Sequence, residues 1–172
     1  MYVIGEIYDE DHDLIEEYGL NLLIRYYIKV LGYKRGKSIS DLNPGRLLEN
    51  ALKSYTGGYV MYETDNKEEE SNNKKKLVGF LLTSEHQFER HENIQIICGI
   101  DIRTVQKLLR RLMVFQNRFD DVHITYYFPQ NDELEILFEE YGFKLIEVRE
   151  PLFRKDHRIM ILKYIKGNLL IN

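Results

Sequence analysis

The order of regular stretches in this sequence predicts one α/β domain, a mixed sheet with helices on both of its faces. Three observations carry that expectation. The second half alternates an apolar run (Ile94, Ile96, Ile97), an amphipathic helix, another apolar run and another helix, the pattern of parallel βαβ units. The first half holds two strand-like runs, 59–63 and 77–83, separated only by a highly charged stretch, as in an antiparallel hairpin. No internal repeat or break in composition interrupts the 172 residues, a length that suits a single domain with its own core.

Tyr2 to Tyr8 is a β-rich run that supplies a first strand. Asp9, Asp11 and Asp13 can cap or charge-stabilise the start of a helix. Its apolar stripe begins at Leu14 and runs through Ile15, Tyr18, Leu22, Leu23, Tyr26, Tyr27 and Val30 to an end near Gly32. Gly19 inside it costs about 1 kcal/mol relative to alanine, which marks a place for a bend or break. Lys34 to Ser40 reads as a polar loop. Asn43 and Pro44 fit the cap and first position of a second helix, which buries Leu47, Leu48, Ala51 and Leu52 and ends at Gly57-Gly58.

The charged stretch 65–76 contains Glu68-Glu69-Glu70 and Lys74-Lys75-Lys76, and reads as a solvated hairpin tip or a partner-docking loop. Asn93 to Gly99 is the next strand. Arg103 to Phe119 is a long helix with the stripe Val105, Leu108, Leu109, Leu112, Met113 and Phe115. Asp121 to Phe128 is apolar and aromatic enough for a central, largely covered strand. Asp132 to Tyr141 is a helix stopped by Gly142. Phe143 to Arg149 and Arg158 to Ile165 form two last strands joined around Pro151. The expected order is β-α-α-β-β-β-α-β-α-β-β.

Composition excludes several classes. Hydrophobic residues make up 44% and charged residues 30%, as in ordinary globular chains, and the net charge of −4 gives no overall pull towards nucleic acid or anionic membrane. Cys98 is the single cysteine, so an intrachain disulfide is impossible and a reducing, cytoplasmic setting is expected. The acidic N-terminal stretch is unlike a signal peptide, and no apolar run reaches the roughly 18 residues of a membrane span.

The tail carries the most specific pattern. Asn131, Leu134 and Leu137-Phe138-Glu139-Glu140-Tyr141-Gly142-Phe143 stand at the spacings of the closing motif of the GCN5-related N-acetyltransferase (GNAT) family. Leu77-Val78-Gly79-Phe80 resembles that family's third strand, and the element order resembles its fold from Tyr2 to Ile165. The resemblance implies transfer of an acetyl group from acetyl-CoA to an amine. It also implies a cofactor site made of Ile97, Cys98, Gly99, Ile100, Arg103, Thr104 and Asn131. Backbone N–H groups at Ile97 to Gly99 would polarise the thioester carbonyl, and a carboxylate such as Glu85 or Glu92 would deprotonate the incoming ammonium.

Two departures stand against the family pattern. The glycine positions of the cofactor turn hold Arg103 and Val105, and Asp101 adds a negative charge, which leaves open a working anion site or a vestigial turn. Phe138 occupies the position of the tyrosine that commonly protonates the departing thiolate. Tyr141, Tyr126 or Tyr127 would have to supply that proton, or water would.

Other constellations point elsewhere. His86 and His91, with Glu85, Glu89 and Glu92, match no standard zinc spacing and read as a solvated turn, so no metal is expected. Cys98 reads as a small core residue rather than a nucleophile. Arg103, Lys107, Arg110, Arg111 and Arg118 give one helix five positive charges. That face could meet coenzyme A phosphates, nucleic-acid phosphates or only solvent. The competing reading of the whole chain is a non-catalytic module that binds a protein or nucleic-acid partner. The amine acceptor is not named by any motif.

Overall fold

Seven strands form one sheet in the computed structural model, which describes residues 1–64, 75–85, 91–150 and 158–167. They are β1 (Tyr2–Glu6), β2 (Gly57–Glu63), β3 (Lys76–Glu85), β4 (His91–Gly99), β5 (Val122–Pro129), β6 (Lys144–Arg149) and β7 (Ile159–Lys166). Their order across the sheet is β1-β2-β3-β4-β5-β7-β6, and every neighbouring pair is antiparallel except β4 and β5. The mixed sheet expected from the sequence is therefore present, with its single parallel pair at the centre. Of the charged stretch, residues 65–74 lie outside the described residues, as do residues 86–90 and the joint around Pro151, while Lys76 opens β3.

Five helices accompany the sheet among the described residues: α1 (Asp9–Lys29), α2 (Lys37–Leu42), α3 (Pro44–Ser54), α4 (Ile102–Gln116) and α5 (Asp132–Glu140). Adjacent residues of β3 show how they are distributed, because successive side chains of a strand point to opposite faces. The Phe80 ring reaches Gly19 of α1, while a Cβ on Gly79 would fall against Thr104 and Leu108 of α4. Helices α1 and α4 thus cover opposite faces, and Leu48 of α3 joins α1 beside Gly19.

Several elements differ from the sequence expectation for identifiable reasons. Helix α1 starts at Asp9 rather than Leu14, because the Asp11 carboxylate accepts the Tyr8 N–H at 2.9 Å and also the buried Tyr62 hydroxyl. Gly19 does not break α1. A Cβ there would meet Ile15 at 3.0 Å and Leu48 and Phe80 at 3.4 Å, so the glycine lets α1 lie close to α3 and β3. Residues 37–42 form the short helix α2 where a loop was expected, and Asn43 ends it in the left-handed conformation (φ 47°) while capping Arg46 of α3. Gly57-Gly58 does not terminate α3, which ends at Ser54; the pair opens β2 instead. Strand β5 is central and largely buried, as expected, with His123 and Tyr127 exposed.

The β3–β4 pair is shaped by two glycines placed directly opposite each other, Gly79 and Gly99. With no side chain at either position, Thr104 packs its methyl group onto both, and the first turn of α4 settles against the sheet. An alanine Cβ at Gly99 would lie 2.6 Å and 2.7 Å from Thr104 Cγ2 and Cβ, atoms anchored to the helix backbone. Gly99→Ala should therefore cost about 2–3 kcal/mol of overpacking in chemical denaturation. Gly45→Ala in α3, where a Cβ meets nothing within 4 Å, should instead stabilise by about 0.5–1 kcal/mol.

Candidate functional site

The functional geometry begins with one extra residue in β4. Leu82 and Thr83 of β3 are consecutive, yet their partners on β4 are Ile96 and Ile94, so Gln95 has no partner and forms a β-bulge. The parallel ladder between β4 and β5 runs only from His91↔His123 to Ile94↔Tyr126 and stops at the bulge. Beyond it β4 follows β3, β5 follows β7 through Pro129↔Ile159, and the two strands diverge.

The divergence leaves backbone groups without a sheet partner. In an antiparallel ladder, alternate residues turn their N–H and C=O groups to the same neighbour. Ile100 donates to Val78 O at 2.9 Å, so Cys98 and Ile96 also face β3. The N–H groups of Ile97 and Gly99 then face the cleft on the β5 side. Of the residues expected to hold a cofactor, Ile97 and Gly99 are thus turned into the gap by their backbones, whereas Cys98 gives its backbone bonds to β3. Burial pushes the Cys98 thiol well up, in keeping with an inert core side chain.

Aromatic side chains line the cleft. Phe128 of β5 packs against Tyr27 at 5.6 Å and Tyr33 at 6.4 Å between ring centroids, closing the gap from the end of α1. Tyr126 stacks on Phe138 of α5 at 4.8 Å. Asn131 ties the two sides together: its Oδ1 caps α5 by accepting the Leu134 N–H, and its Nδ2 donates to Leu31 O, each at 3.2 Å. As the structure stands, Asn131 is a latch between the end of α1 and the start of α5.

The start of α4 is already capped. Asp101 Oδ1 accepts the Thr104 N–H at 2.7 Å and the Thr104 hydroxyl at 2.8 Å. Thr104 is buried under this cap, whereas Ile100 and Arg103 are exposed. Three further basic residues lie along aromatic rings, two on α4 and one just after it: Lys107 over Tyr2 at 5.5 Å, Arg111 over Tyr59 at 6.0 Å and Arg118 over Phe115 at 5.8 Å.

The proposed acids and bases are scattered. Tyr141 donates its hydroxyl to Gln106 O of α4 at 3.2 Å, and Phe138 is fully buried. Glu85 and Glu92 face each other across β3 and β4 at the far end of the sheet. They line a cavity of about 470 Å³ together with Glu6, Tyr59, Phe115 and Gln116. Five residues of strand, roughly 16 Å at about 3.3 Å per residue, separate Glu92 from Ile97. Among the described residues no group of three or more His, Cys, Asp or Glu could hold a metal ion, and no helix is long and apolar enough to cross a membrane.

Sequence reasoning missed the bulge at Gln95. The bulge has no composition cue, since Gln95 continues the strand pattern.

A central parallel pair that splays beyond a bulge, with a helix start beside its open end, defines an α/β protein whose middle strands diverge. Similar solved structures place its fold more narrowly. The chain superposes on the ribosomal-protein-S18-alanine N-acetyltransferase from Escherichia coli with a TM-score of 0.62 and 13% identity, covering 100% of this chain and 98% of that one. Aminoglycoside 6′-acetyltransferase type Ii gives 0.61 and 12% over 95% of this chain and 96% of that one. An Arabidopsis thaliana protein solved in complex with acetyl-CoA gives 0.58 and 7% over 96% and 99%. The fold is that of the GCN5-related N-acetyltransferases. No protein-family model and no curated protein sequence matches the chain.

Burial raises the pKa of Glu92 above the ordinary value of 4.5, and neighbouring Glu85 raises it further, while hydrogen bonds from Thr83 and Gln116 oppose the shift. Below pH 4.5 the carboxyl is neutral in folded and unfolded chains alike. As pH rises through the folded value, charging the buried group removes stability. Glu92→Gln should therefore raise the melting temperature at pH 7 and leave it unchanged near pH 4, as read by thermal denaturation at the two pH values.

Proposed function

We propose that this protein transfers an acetyl group from acetyl-CoA to a primary amine. One observation carries the reading. The bulge at Gln95 ends the β4–β5 ladder and turns the N–H groups of Ile97 and Gly99 into a cleft lined by Tyr27, Tyr126 and Phe128. Donors fixed along a narrow apolar gap fit a ligand arm that carries carbonyl acceptors along a chain, as the pantetheine and thioester of acetyl-CoA do. The fold shared with acetyltransferases supports the same reading.

The residues that would hold the cofactor are of two kinds. Ile97 and Gly99 would donate to carbonyl oxygens in the cleft. Arg103, Lys107 and the first N–H groups of α4 would meet the phosphates. Bound there, acetyl-CoA supplies the activated acyl carbon and a thiol leaving group.

The cleft fits this ligand better than the helix start does. Asp101 places a carboxylate where a phosphate would gain from the N-terminus of α4, and it already occupies the Thr104 N–H and hydroxyl. This chain also offers the departing thiolate no obvious acid. Phe138 has no proton to give, and Tyr141 holds its own against Gln106 O. Protonation by water is therefore expected, and the rate should show no fall at high pH from deprotonation of a catalytic tyrosine.

A thermal-shift titration with acetyl-CoA tests the reading. At a hundred times its dissociation constant the ligand should stabilise the protein by about 2.7 kcal/mol. Asp101→Asn keeps the cap and removes the charge, so affinity should rise by about 1 kcal/mol, roughly fivefold. Arg103→Glu should lower it by a similar factor. No shift in the wild-type protein at millimolar acetyl-CoA would overturn the proposal.

A further inference from the structure

The outer side of α4 carries more positive charge than the proposed cofactor uses. From Arg103 to Phe119 the chain holds five cations, Arg103, Lys107, Arg110, Arg111 and Arg118, and no acidic residue. All five are exposed. Steps of three, four and seven residues set them along one side of the helix and of the turn that follows it. At about 1.5 Å per residue the row runs for roughly 20 Å from Arg103 to the end of α4, with Arg118 just beyond. Arg103 and Lys107 stand in the first turns, where acetyl-CoA phosphates are proposed to sit. Arg110, Arg111 and Arg118 lie farther along, and nothing in that reading employs them.

This charge is not spent inside the protein. The chain contains 28 acidic residues, yet among the described residues none of the five cations forms an ion pair. Lys107, Arg111 and Arg118 lie on the rings of Tyr2, Tyr59 and Phe115 instead. Such a contact steadies the cation, keeps its charge and leaves its N–H donors unspent. The row also has defined ends. Asp101 precedes it, occupied in capping Thr104, and beyond Phe115 and Phe119 the carboxylates of Glu92 and Asp121 line a shared cavity. A polyanion would follow the helix and leave the surface near Arg118.

We propose that this side of α4 is a docking surface for single-stranded nucleic acid. A row of cations suits a partner whose negative charge repeats along its length. Four of the five are arginines, whose planar fork can bond two phosphate oxygens at once. The rings beside the row favour a single strand over the alternatives. Tyr2 is 47% exposed, Phe115 37% and Phe119 39%. Unpaired bases stack on such rings and on guanidinium planes. The bases of a duplex are already stacked on one another, and an acidic peptide has carboxylates with no flat aromatic face to offer. The surface stands independently of the acetyl-CoA reading.

Fluorescence anisotropy with a labelled oligo(U) of about 12 nucleotides tests it. Wild type should bind, and should lose about 100-fold in affinity as salt rises from about 50 to about 200 mM, the dependence of roughly five phosphate contacts on a single strand. Arg110→Gln combined with Arg118→Gln removes two charges from the part of the row that the cofactor reading leaves unused. That variant should melt with wild type and show the same thermal shift with acetyl-CoA. It should bind oligo(U) about tenfold more weakly at low salt and lose only about 20-fold over the same salt range. A duplex of equal length should bind more weakly than the single strand. Absence of binding at low salt would overturn the proposal, as would an affinity and salt dependence that the variant leaves unchanged. Tighter binding of the duplex would overturn the single-strand assignment. Equal binding of a poly-glutamate peptide of the same length would overturn the nucleic-acid assignment and give the face to an acidic protein.

Discussion

The extra residue at Gln95 is the constraint on which the rest depends. A parallel pair in the middle of a sheet normally satisfies its backbone from end to end, because buried N–H groups without partners are costly. Here β4 and β5 keep four bridged positions and then separate, so the sheet gives up ladder bonds at its own centre. The glycine pair Gly79 and Gly99 makes the separation usable. It lets α4 begin hard against β4, so that the helix start, with its own surplus of N–H groups, flanks the open end of the cleft. The elements on either side are then braced. Asn131 joins the end of α1 to the start of α5, and Tyr141 joins the end of α5 to α4.

What lines the gap decides which ligands would suit it. The aromatic side chains Tyr27, Tyr126, Phe128 and Phe138 pack on one another beside the gap and make its surroundings apolar. Its polar features are donors of fixed direction, which suits a neutral chain of carbonyl groups better than a charged substrate. The helix start is the opposite case. Asp101 satisfies it internally and sets a negative charge at its mouth, so the phosphates of the proposed ligand would meet repulsion as well as Arg103 and Lys107. Under the proposed function, recognition would therefore lean towards the arm of the ligand and away from its phosphates.

Much of the architecture was legible in the sequence. The strand at Ile94 to Gly99, the helices after it and the stop at Gly142 (φ 88°) were visible because periodicity and glycine placement each have a direct physical cause. The failures also have causes. Residues 37–42 form a helix through contacts of Ile39 and Leu42 with the core, a tertiary effect that local polarity hides. Helix α1 reaches back to Asp9 because Asp11 bonds Tyr62, a residue on another element. The candidate site divides along the same line. Backbone positions at Ile97 and Gly99 could be read from strand and turn. The roles of Thr104, Asn131 and Tyr141 could not, since each is fixed by a hydrogen bond, two of them to distant elements. The bulge is a property of register, for which a single sequence carries no sign.

Hydrogen exchange of the β4 amides, resolved residue by residue in the presence and absence of acetyl-CoA, bears most directly on the cleft. Ile96 and Cys98 face β3, so their protection should be high and indifferent to the ligand. Ile97 and Gly99 should gain protection when acetyl-CoA is added, because their N–H groups acquire an acceptor only then. Equal protection along β4 that acetyl-CoA leaves unchanged would contradict a cleft built by the bulge at Gln95.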